Sequence, residues 1–156
     1  MNVSEMMTRH PVTVNPHTTV EEVQRLFEAH HFHHALVVDC GQLVGVVSDR
    51  DLLKNLSPFI GNVLAERPQD LALLRRHIHL IMTRQPVCVL PDTPVGAAAW
   101  LMRDKKVSCL PVVDDGKRPL GIVTAPDLLA VLSRTLAPAP DRTWTRQIPT
   151  IRLPRP

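Results

Sequence analysis

Two short segments of the chain place a hydroxyl side chain three residues before a carboxylate, directly after an apolar run. Ser48 precedes Asp51 in the first segment, and Thr124 precedes Asp127 in the second. A carboxylate can accept charge-assisted hydrogen bonds from hydroxyl groups of a ligand, and a hydroxyl beside the first N–H groups of a helix is placed to meet a phosphate. The same spacing is typical of a helix N-cap followed by an acidic first-turn residue. The pairs therefore predict either ligand contacts or ordinary helix caps.

The two segments differ in one charged residue. Arg50 lies between Ser48 and Asp51 and would supply a cation that pairs with phosphate. Pro126 holds the equivalent place in the second segment and cannot do so. The sequence thus favours ligand contact at the first segment over the second.

A histidine-rich run, residues 30–34, suggests a metal site at first sight. It holds four imidazoles, at His30, His31, His33 and His34. The run spans a predicted helix end and the start of a strand, so the side chains should diverge, and it contains no cysteine or acidic residue that would complete a site. We therefore predict no metal site and interpret the imidazoles as solvated or ligand-facing.

The three cysteines, Cys40, Cys88 and Cys109, are separated in the sequence. Their odd number and the absence of a C-x-x-C pair predict neither a disulfide framework nor a thiolate zinc site. Cys88 and Cys109 lie in apolar strand contexts without a local base, and the six glycines do not form a phosphate loop. We predict reduced structural thiols and a protein that is not an enzyme.

An internal repeat must position these residues. Residues 7–16 match residues 82–91 at an offset of 75, and the match continues without a gap to Asp114. One extra residue in the second copy then shifts the offset to 76, which aligns Ser48 with Thr124. The two hydroxyl–carboxylate pairs are therefore two copies of one feature.

Each copy predicts the same order of elements: strand, helix, strand, strand, helix. Thr18 with Glu21 is expected to cap the first helix, and Pro94 to take the first helical position of its counterpart. Two apolar runs separated by a turn signal follow each helix, and they are apolar enough that helices should cover them. The predicted strands cover residues 12–14, 35–38, 43–47, 110–113 and 120–123, and the predicted core-facing helix residues are Val20, Val23, Phe27, Val95, Ala98 and Met102.

Two segments lie outside the repeats. Residues 57–79 predict a linker, with a helix expected over 69–81 because apolar residues recur there at helical spacing. Residues 137–156 predict an extended tail, because they are rich in proline and carry the whole net charge of +3. The domains are accordingly expected at 1–56 and 80–136.

The tail and the termini also bear on partners. The tail has few charges, and only Trp144 could stack on a base, so we predict no nucleic-acid binding. No apolar run approaches the ~20 residues that cross a bilayer, and the N-terminus lacks a basic stretch followed by an apolar one. We expect a soluble, cytoplasmic protein that does not bind membranes.

An ordered set of motifs, present twice, resembles a tandem pair of CBS domains (cystathionine β-synthase domains). The motifs are Met-Thr-x-x-Pro-Val, then Val-Val-Asp-x-Gly, then Gly-Val-Val-Ser-Asp-Arg-Asp-Leu-Leu, and the match covers residues 5–56 and 80–132. No single motif is specific, but the ordered series occurring twice is. The resemblance implies a Bateman module of the α/β (α+β) class, in which two βαββα units pack through their sheets with pseudo-two-fold symmetry around a cleft.

Members of this family commonly bind adenosyl ligands in the cleft and regulate a linked or separate protein. The resemblance implies no obligatory cofactor, but a regulatory nucleotide: AMP, ADP, ATP or S-adenosylmethionine. Ser48, Arg50 and Asp51, and in the second copy Thr124 and Asp127, match the family's ribose and phosphate motif. The base would lie against apolar side chains, for which the resemblance gives Thr13, Val14, His34, Ala35 and Leu36 in the first copy and Cys88, Val89, Cys109, Leu110 and Pro111 in the second.

From these features we predict a stand-alone regulatory module that binds an adenosyl nucleotide and signals by a conformational change. We expect a homodimer, formed through exposed helix faces, and a target protein. The alternative is a ligand-free structural scaffold of the same fold, in which the hydroxyl–carboxylate pairs only cap helices.

Overall fold

The computed structural model describes residues 1–55 and 68–136, and it contains the predicted repeat of strand and helix. The elements in chain order are β1 (Thr8–Arg9), β2 (Thr13–Val14), α1 (Val20–His30), β3 (His34–Asp39), β4 (Gln42–Ser48), α2 (Asp49–Asn55), α3 (Pro68–Leu74), β5 (Thr83–Arg84), α4 (Val95–Lys105), β6 (Cys109–Val113), β7 (Pro119–Thr124) and α5 (Ala125–Leu136). Short 3₁₀-helices at Val3–Glu5 and Ile78–Leu80 precede β1 and β5. The mixed fold predicted from the sequence is confirmed.

Each sheet is completed by a short strand from the other repeat. One sheet has the order β2-β3-β4-β5 and the other β1-β7-β6, so β5 joins the first sheet and β1 the second. A glycine lies where each of these short strands pairs, Gly121 opposite β1 and Gly45 opposite β5. A Cβ at Gly121 would lie 2.9 Å from the carbonyl oxygen of Thr8, and one at Gly45 would lie 3.1 Å from that of Thr83. This exchange ties the repeats together with pseudo-two-fold symmetry.

The turn between β3 and β4 is set by two residues. Cys40 and Gly41 both have positive φ, 47° and 77°. Two consecutive residues with positive φ form the type I′ turn that matches the twist of an antiparallel hairpin. The predicted turn signal is thus a two-residue hairpin, and a register shift between Val37 and Val38 then places Ser48 opposite His34.

In the part of the chain that the structure describes, three apolar clusters form the core. One belongs to each repeat, and the third lies between the two sheets. The residues that precede the exchanged strands also pack in the other repeat's core. Ile78, before β5, is buried in the core of the first repeat, and Val3, before β1, is buried in that of the second. The cluster between the sheets contains Leu36, Leu43, Val46, Cys109, Val113 and Ile122. The sheets therefore pack against each other, and helices cover their outer faces.

Both helix starts lie one residue later than the sequence suggested. The N-cap of α1 is Thr19, whose hydroxyl accepts from the N–H of Glu22 at 3.3 Å while the Glu22 carboxylate accepts from the N–H of Thr19 at 2.7 Å. Thr18 instead accepts from the N–H of Asn15 and closes the preceding turn. In the second repeat Pro94 is the N-cap in extended conformation, not the first helical residue.

The segment between the repeats also differs from the expectation. The helix there ends at Leu74 instead of continuing to residue 81, and Ile78 begins a separate 3₁₀-helix, because its backbone N–H bonds to the carbonyl of Thr18 at 2.9 Å. The remainder of the predicted linker, residues 57–67, lies outside the described residues, as do the last residue of the first predicted domain, residue 56, and the predicted tail, residues 137–156.

Candidate functional site

The two hydroxyl–carboxylate pairs have nearly the same geometry, at the starts of α2 and α5. Asp51 Oδ2 accepts hydrogen bonds from the backbone N–H and the hydroxyl of Ser48, at 2.9 and 2.7 Å. Asp127 Oδ2 accepts from the same two groups of Thr124, at 2.8 and 2.6 Å. These bonds form because the change from strand to helix leaves backbone N–H groups without intrahelical partners.

Oδ1 of each carboxylate takes no part in these hydrogen bonds. Within residues 1–55 and 68–136, no donor bonds to Oδ1 of Asp51 or of Asp127. Each aspartate can therefore hold its helix start with Oδ2 and accept a further hydrogen bond, such as one from a ligand hydroxyl, with Oδ1.

A cavity of about 240 Å³ joins the first pair to the second repeat, and we call it the inter-repeat cavity. It draws on β3, β4 and α2 of the first repeat, on β5 with the chain that follows it, and on the segment between α4 and β6. Its lining residues are His34, Val46, Ser48, Asp51, Thr83, Gln85, Pro86, Val87, Lys106, Val107, Ser108, Cys109 and Pro111. The cavity thus combines a carboxylate, a lysine and apolar walls.

His34 connects the repeats at this cavity. Its Nε2 lies 2.9 Å from Ser108 Oγ, which is hydrogen-bond distance. Burial lowers the pKa of the His34 imidazole, and the charge of Asp49 opposes this only in part. His34 is therefore a neutral hydrogen-bonding group at pH 7 and not a cation.

Cys109 forms an apolar part of the wall. Burial raises the pKa of its thiol to about 12, and the negative charge of Asp51 acts in the same direction. Burial also raises the pKa of the neighbouring Cys88 thiol. Thiols that stay protonated at neutral pH are weak nucleophiles, so these groups contribute packing and not reactivity.

The second pair faces a different environment. Asp127 lines a cavity of about 340 Å³ together with residues of the N-terminus and of α5, among them Glu5 and Arg134. Glu5 adds a carboxylate to this cavity and Arg134 a cation, and the first repeat has Leu80 at the position equivalent to Glu5. The two copies therefore offer a ligand different charges, although their backbones match.

A family model for the CBS domain matches residues 3–58 and 76–134. The chain belongs to the CBS domain family. It is 37% identical over 142 residues to a CBS domain-containing protein of Dictyostelium discoideum, with 90% of this chain and 97% of that protein covered. The two matched ranges contain both hydroxyl–carboxylate pairs, so the family and the double repeat predicted from the sequence are confirmed.

Solved structures show the same pairing of domains. The CBS domain pair of protein MJ0100, in complex with 5′-methylthioadenosine and S-adenosyl-L-methionine, is 28% identical with a TM-score of 0.72, over 86% of this chain and 98% of that one. CBSX2 in complex with AMP is 29% identical with a TM-score of 0.71, over 87% and 98%.

Some relatives are much longer enzymes. An L-aspartate semialdehyde sulfurtransferase of Methanocaldococcus jannaschii is 30% identical over 127 residues, but the match spans only 22% of that protein. The resemblance is therefore to the CBS part of such chains.

Among the helices in the described part of this CBS pair, none is long and apolar enough to cross a membrane.

The structure brings some of the predicted site residues together and separates others. Ser48, Asp51, His34, Cys109 and Pro111 all line the inter-repeat cavity. Arg50 is exposed on α2 outside this lining, although its charge influences the His34 imidazole. Ala35, Leu36 and Leu110 are fully buried, and Val89 is buried in the core of the second repeat. Cys88 lines a neighbouring cavity. Thr13 and Val14 line an open groove beside α1.

Several lining residues were not among the predicted contacts. Thr83, Gln85 and Pro86 belong to the repeated Met-Thr-x-x-Pro-Val motif, and they reach the first pair because β5 pairs with β4. The repetition of the motif was the available signal, but its position in the other repeat's sheet was not visible in the sequence. A larger cavity of about 770 Å³ shares Gln85 and Pro86 but contains neither hydroxyl–carboxylate pair.

The histidine-rich run diverges as the sequence suggested. His30 stacks on Phe32 with ring centroids 5.8 Å apart, and His33 Nδ1 lies 2.8 Å from a carboxylate oxygen of Asp49. His31 is the left-handed residue that ends α1, and His34 turns to Ser108. The four rings thus have four different surroundings.

Proposed function

We propose that this CBS pair is a regulatory module that binds an adenosyl nucleotide in the inter-repeat cavity. AMP, ADP, ATP and S-adenosylmethionine are the candidate ligands. The observation that carries the proposal is the Asp51 carboxylate, which lies on a cavity between the repeats with Oδ1 left over from helix capping. The adenosyl ligands of two related CBS structures support the choice of ligand class.

The ribose would be held by Asp51. A carboxylate oxygen accepts well from sugar hydroxyls, and charge-assisted hydrogen bonds are stronger than neutral ones. Because Oδ2 is fixed by Ser48 at 2.7 Å, the carboxylate is already oriented and loses little freedom when a ligand binds.

The remaining walls suit the two ends of a nucleotide. Val46, Val87 and Pro111 offer an apolar surface for a purine face. Lys106, at the end of α4, supplies a cation on the same cavity, and a phosphate or the carboxylate of a methionyl group would pair with it.

The size of the cavity suggests how binding would signal. Its volume of about 240 Å³ is below the ~300–1,000 Å³ of typical ligand pockets. A bound nucleotide would therefore favour a state in which the repeats lie further apart at this cleft. A ligand shifts such an equilibrium only by its difference in affinity between the two states, and a target protein would respond to the shift.

Calorimetric titration of the chain with AMP, ADP, ATP and S-adenosylmethionine tests the proposal. We expect saturable heat with at least one of them, and a weaker affinity in Asp51→Asn, which retains a capping acceptor but loses the charge. Asp49→Asn is the matched control, since it removes the same charge from the same helix outside the cavity lining. Absence of binding by all four ligands, or equal loss in both variants, would contradict the proposal.

The alternative of a ligand-free scaffold has its own supporting observation. The hydrogen bonds between Ser48 and Asp51, and between Thr124 and Asp127, cap the helices without any ligand. Under this hypothesis nucleotides leave the melting temperature unchanged, whereas true binding raises it by mass action. Thermal denaturation with and without each nucleotide separates the two functions.

We further propose that the chain acts in the cytoplasm as a homodimer formed through α4 and α5. Trp100, Leu129 and Leu132 are 62%, 63% and 50% exposed on these helices, and apolar side chains clustered on a surface favour association. Sedimentation should show a dimer that Leu132→Glu dissociates, while Leu90→Glu, at an exposed leucine outside both helices, leaves it intact. A monomeric wild-type chain would refute this part.

A further inference from the structure

Three histidines from two distant segments meet beside the first repeat. One ring nitrogen from each of His17, His77 and His79 lies within 4.8 Å of the other two. The ring centroids are 5.5 Å apart for His17 with either partner and 5.7 Å apart for His77 with His79. His17 lies in the turn before α1. His77 directly precedes the 3₁₀-helix at Ile78–Leu80, and His79 lies within that helix.

Two hydrogen bonds hold the backbone where the turn before α1 meets the segment before β5, and we call this place the junction. The N–H of Ile78 bonds to the carbonyl of Thr18 at 2.9 Å, and the N–H of Val20 bonds to the carbonyl of Arg76, also at 2.9 Å. The segment that carries His77 and His79 is therefore fixed against the turn that carries His17. These main-chain contacts bring the segments that carry the three rings together.

The hydrogen bond of one ring sets its tautomer. His79 Nδ1 lies 3.1 Å from the carbonyl oxygen of Pro16. A carbonyl only accepts, so Nδ1 carries the proton and Nε2 carries the lone pair. Histidine ligands of metals typically donate their second N–H to a carbonyl or carboxylate in this way, which fixes the tautomer and the ring orientation.

The second repeat shows that the fold does not need these imidazoles. The same junction recurs there, with the N–H of Val3 bonded to the carbonyl of Thr93 at 2.9 Å and the N–H of Val95 bonded to the carbonyl of Met1 at 3.3 Å. At the positions equivalent to His17, His77 and His79, this junction has Asp92, Asn2 and Ser4. A common backbone frame thus carries three imidazoles in one copy and none in the other.

We infer that His17, His77 and His79 form a site for a divalent transition-metal ion, with Zn²⁺ as the representative ion. Imidazole nitrogens suit Zn²⁺, Cu²⁺ and Ni²⁺ and do not suit Mg²⁺ or Ca²⁺. Zinc bonds to imidazole at ~2.0–2.1 Å, so tetrahedral ligands lie ~3.4 Å apart. The rings of His17 and His77, which are exposed, would rotate to close the gap from the observed separation.

A bound ion would keep an open coordination position. Glu22, in the first turn of α1, lies within electrostatic range of both His77 and Arg25. Three protein ligands leave one position of a tetrahedral ion to water or to a small exogenous ligand. A bound ion would also pin the segment before β5 to the first repeat, independently of whether the proposed nucleotide function holds.

The test is a zinc titration of the full chain without an affinity tag, after treatment with a chelator, in competition with a chromophoric zinc ligand. We expect one zinc per chain and at least tenfold weaker affinity in His77→Ala. A double variant, His30→Ala with His31→Ala, removes two histidines of the 30–34 run and should bind as the wild type does. No zinc binding by the wild type, or equal affinity in the wild type and His77→Ala, overturns the inference.

A second measurement guards against a folding defect. His17 and His77 are exposed, so His17→Ala and His77→Ala should melt at the wild-type temperature in chelator. Zinc should then raise the melting temperature of the wild type and not that of the variants, because only a native-state site stabilises by mass action. An equal rise in all three proteins would contradict the site.

The second junction allows a gain-of-function experiment. Asn2→His, Ser4→His and Asp92→His together place three imidazoles on the equivalent backbone frame. We expect the stoichiometry to rise from one zinc to two in the same titration. A chain that melts normally but still binds one zinc would refute the claim that the shared frame sets the geometry.

Discussion

The two repeats share a backbone but differ in the groups that face a ligand. Ser48 and Asp51 lie on a cavity with Lys106, whereas Asp127 lies on a cavity with Glu5. The strand residue that pairs with each hydroxyl residue is His34, opposite Ser48, in the first repeat and Cys109, opposite Thr124, in the second. Duplication has preserved the frame while the side chains have diverged, so the copies need not share a function.

The cores of the repeats differ in a compensating way. The first core has Val23 and Ala35 where the second has Ala98 and Leu110, so a large and a small side chain have exchanged places. Because interiors are packed as densely as organic crystals, neither core should accept its counterpart's residue at one position alone.

The largest expected effect is on the second core. Leu110 is fully buried, and Leu110→Ala should lower the free energy of unfolding by about 2–5 kcal/mol, since it loses buried surface and leaves a cavity. Denaturant unfolding measures the change. Leu120→Ala, at a partly exposed leucine on β7, is the matched control and should cost under about 1 kcal/mol; equal losses would show that the second core is not packed as described.

The next comparison concerns the two carboxylates. Loss of a charged hydrogen bond costs about 1.5–3 kcal/mol, so Asp51→Asn should weaken nucleotide binding by ~10–100-fold. Asp127→Asn should weaken it less, because Asp127 does not line the inter-repeat cavity in which the ligand is proposed to bind. Calorimetry on both variants decides the matter, and a larger loss from Asp127→Asn would reverse the ranking of the two sites.

The exchanged strands give a third comparison. Alanine at Gly121 would place its Cβ 2.9 Å from the backbone oxygen of Thr8, whereas alanine at Gly45 would place it 3.1 Å from that of Thr83. Both would also meet a flexible methionine side chain, Met7 or Met82. Gly121→Ala should therefore cost about 1–3 kcal/mol of stability and Gly45→Ala less. Thermal unfolding of both variants tests this order, which would be wrong if Gly45→Ala were the more damaging.

The sequence predicted the repeat, its strands and its buried helix faces because those signals are local. The runs at residues 35–38 and 43–47 lie within β3 and β4, and Val20, Val23 and Phe27 are buried. Thr18 and Thr19 each have a glutamate three residues later, so spacing alone could not show which of them caps α1. The structure has Thr19 as the N-cap.

What the sequence could not predict is non-local. The exchange of β1 and β5 between sheets brings Thr83 and Gln85 to Asp51, and it brings His77 and His79 to His17 across sixty residues of chain. The histidines of the 30–34 run, by contrast, are adjacent in the sequence, but their rings are not together in the structure. Leu36 was expected at the ligand and is fully buried between the sheets, because the packing of one sheet on the other decides which strand face is covered.

The comparison of His34 with Cys109 also predicts opposite pH limits. The raised pKa of the Cys109 thiol means that the unfolded chain ionises first as the pH rises above ~8.5. Stability should then fall by at most ~1.4 kcal/mol per pH unit from this group, and the chain has no tyrosine to obscure the titration. The difference in unfolding free energy between wild type and Cys109→Ala, measured from pH 7.5 to 10, should shrink; a constant difference would contradict the burial of the thiol.

His34 sets the corresponding limit on the acid side, with the smallest effect because solvent reaches part of the ring. Its lowered pKa means that the unfolded chain, with an ordinary value of ~6.5, takes up a proton first as the pH falls. Stability from this group is therefore present above pH ~6.5 and is lost below it. Between pH 7.5 and 5.5 the wild type should lose more stability than His34→Gln, which retains a hydrogen-bonding side chain near Ser108. An equal loss in both proteins would mean that the His34 imidazole is as free to protonate in the folded cleft as in the unfolded chain.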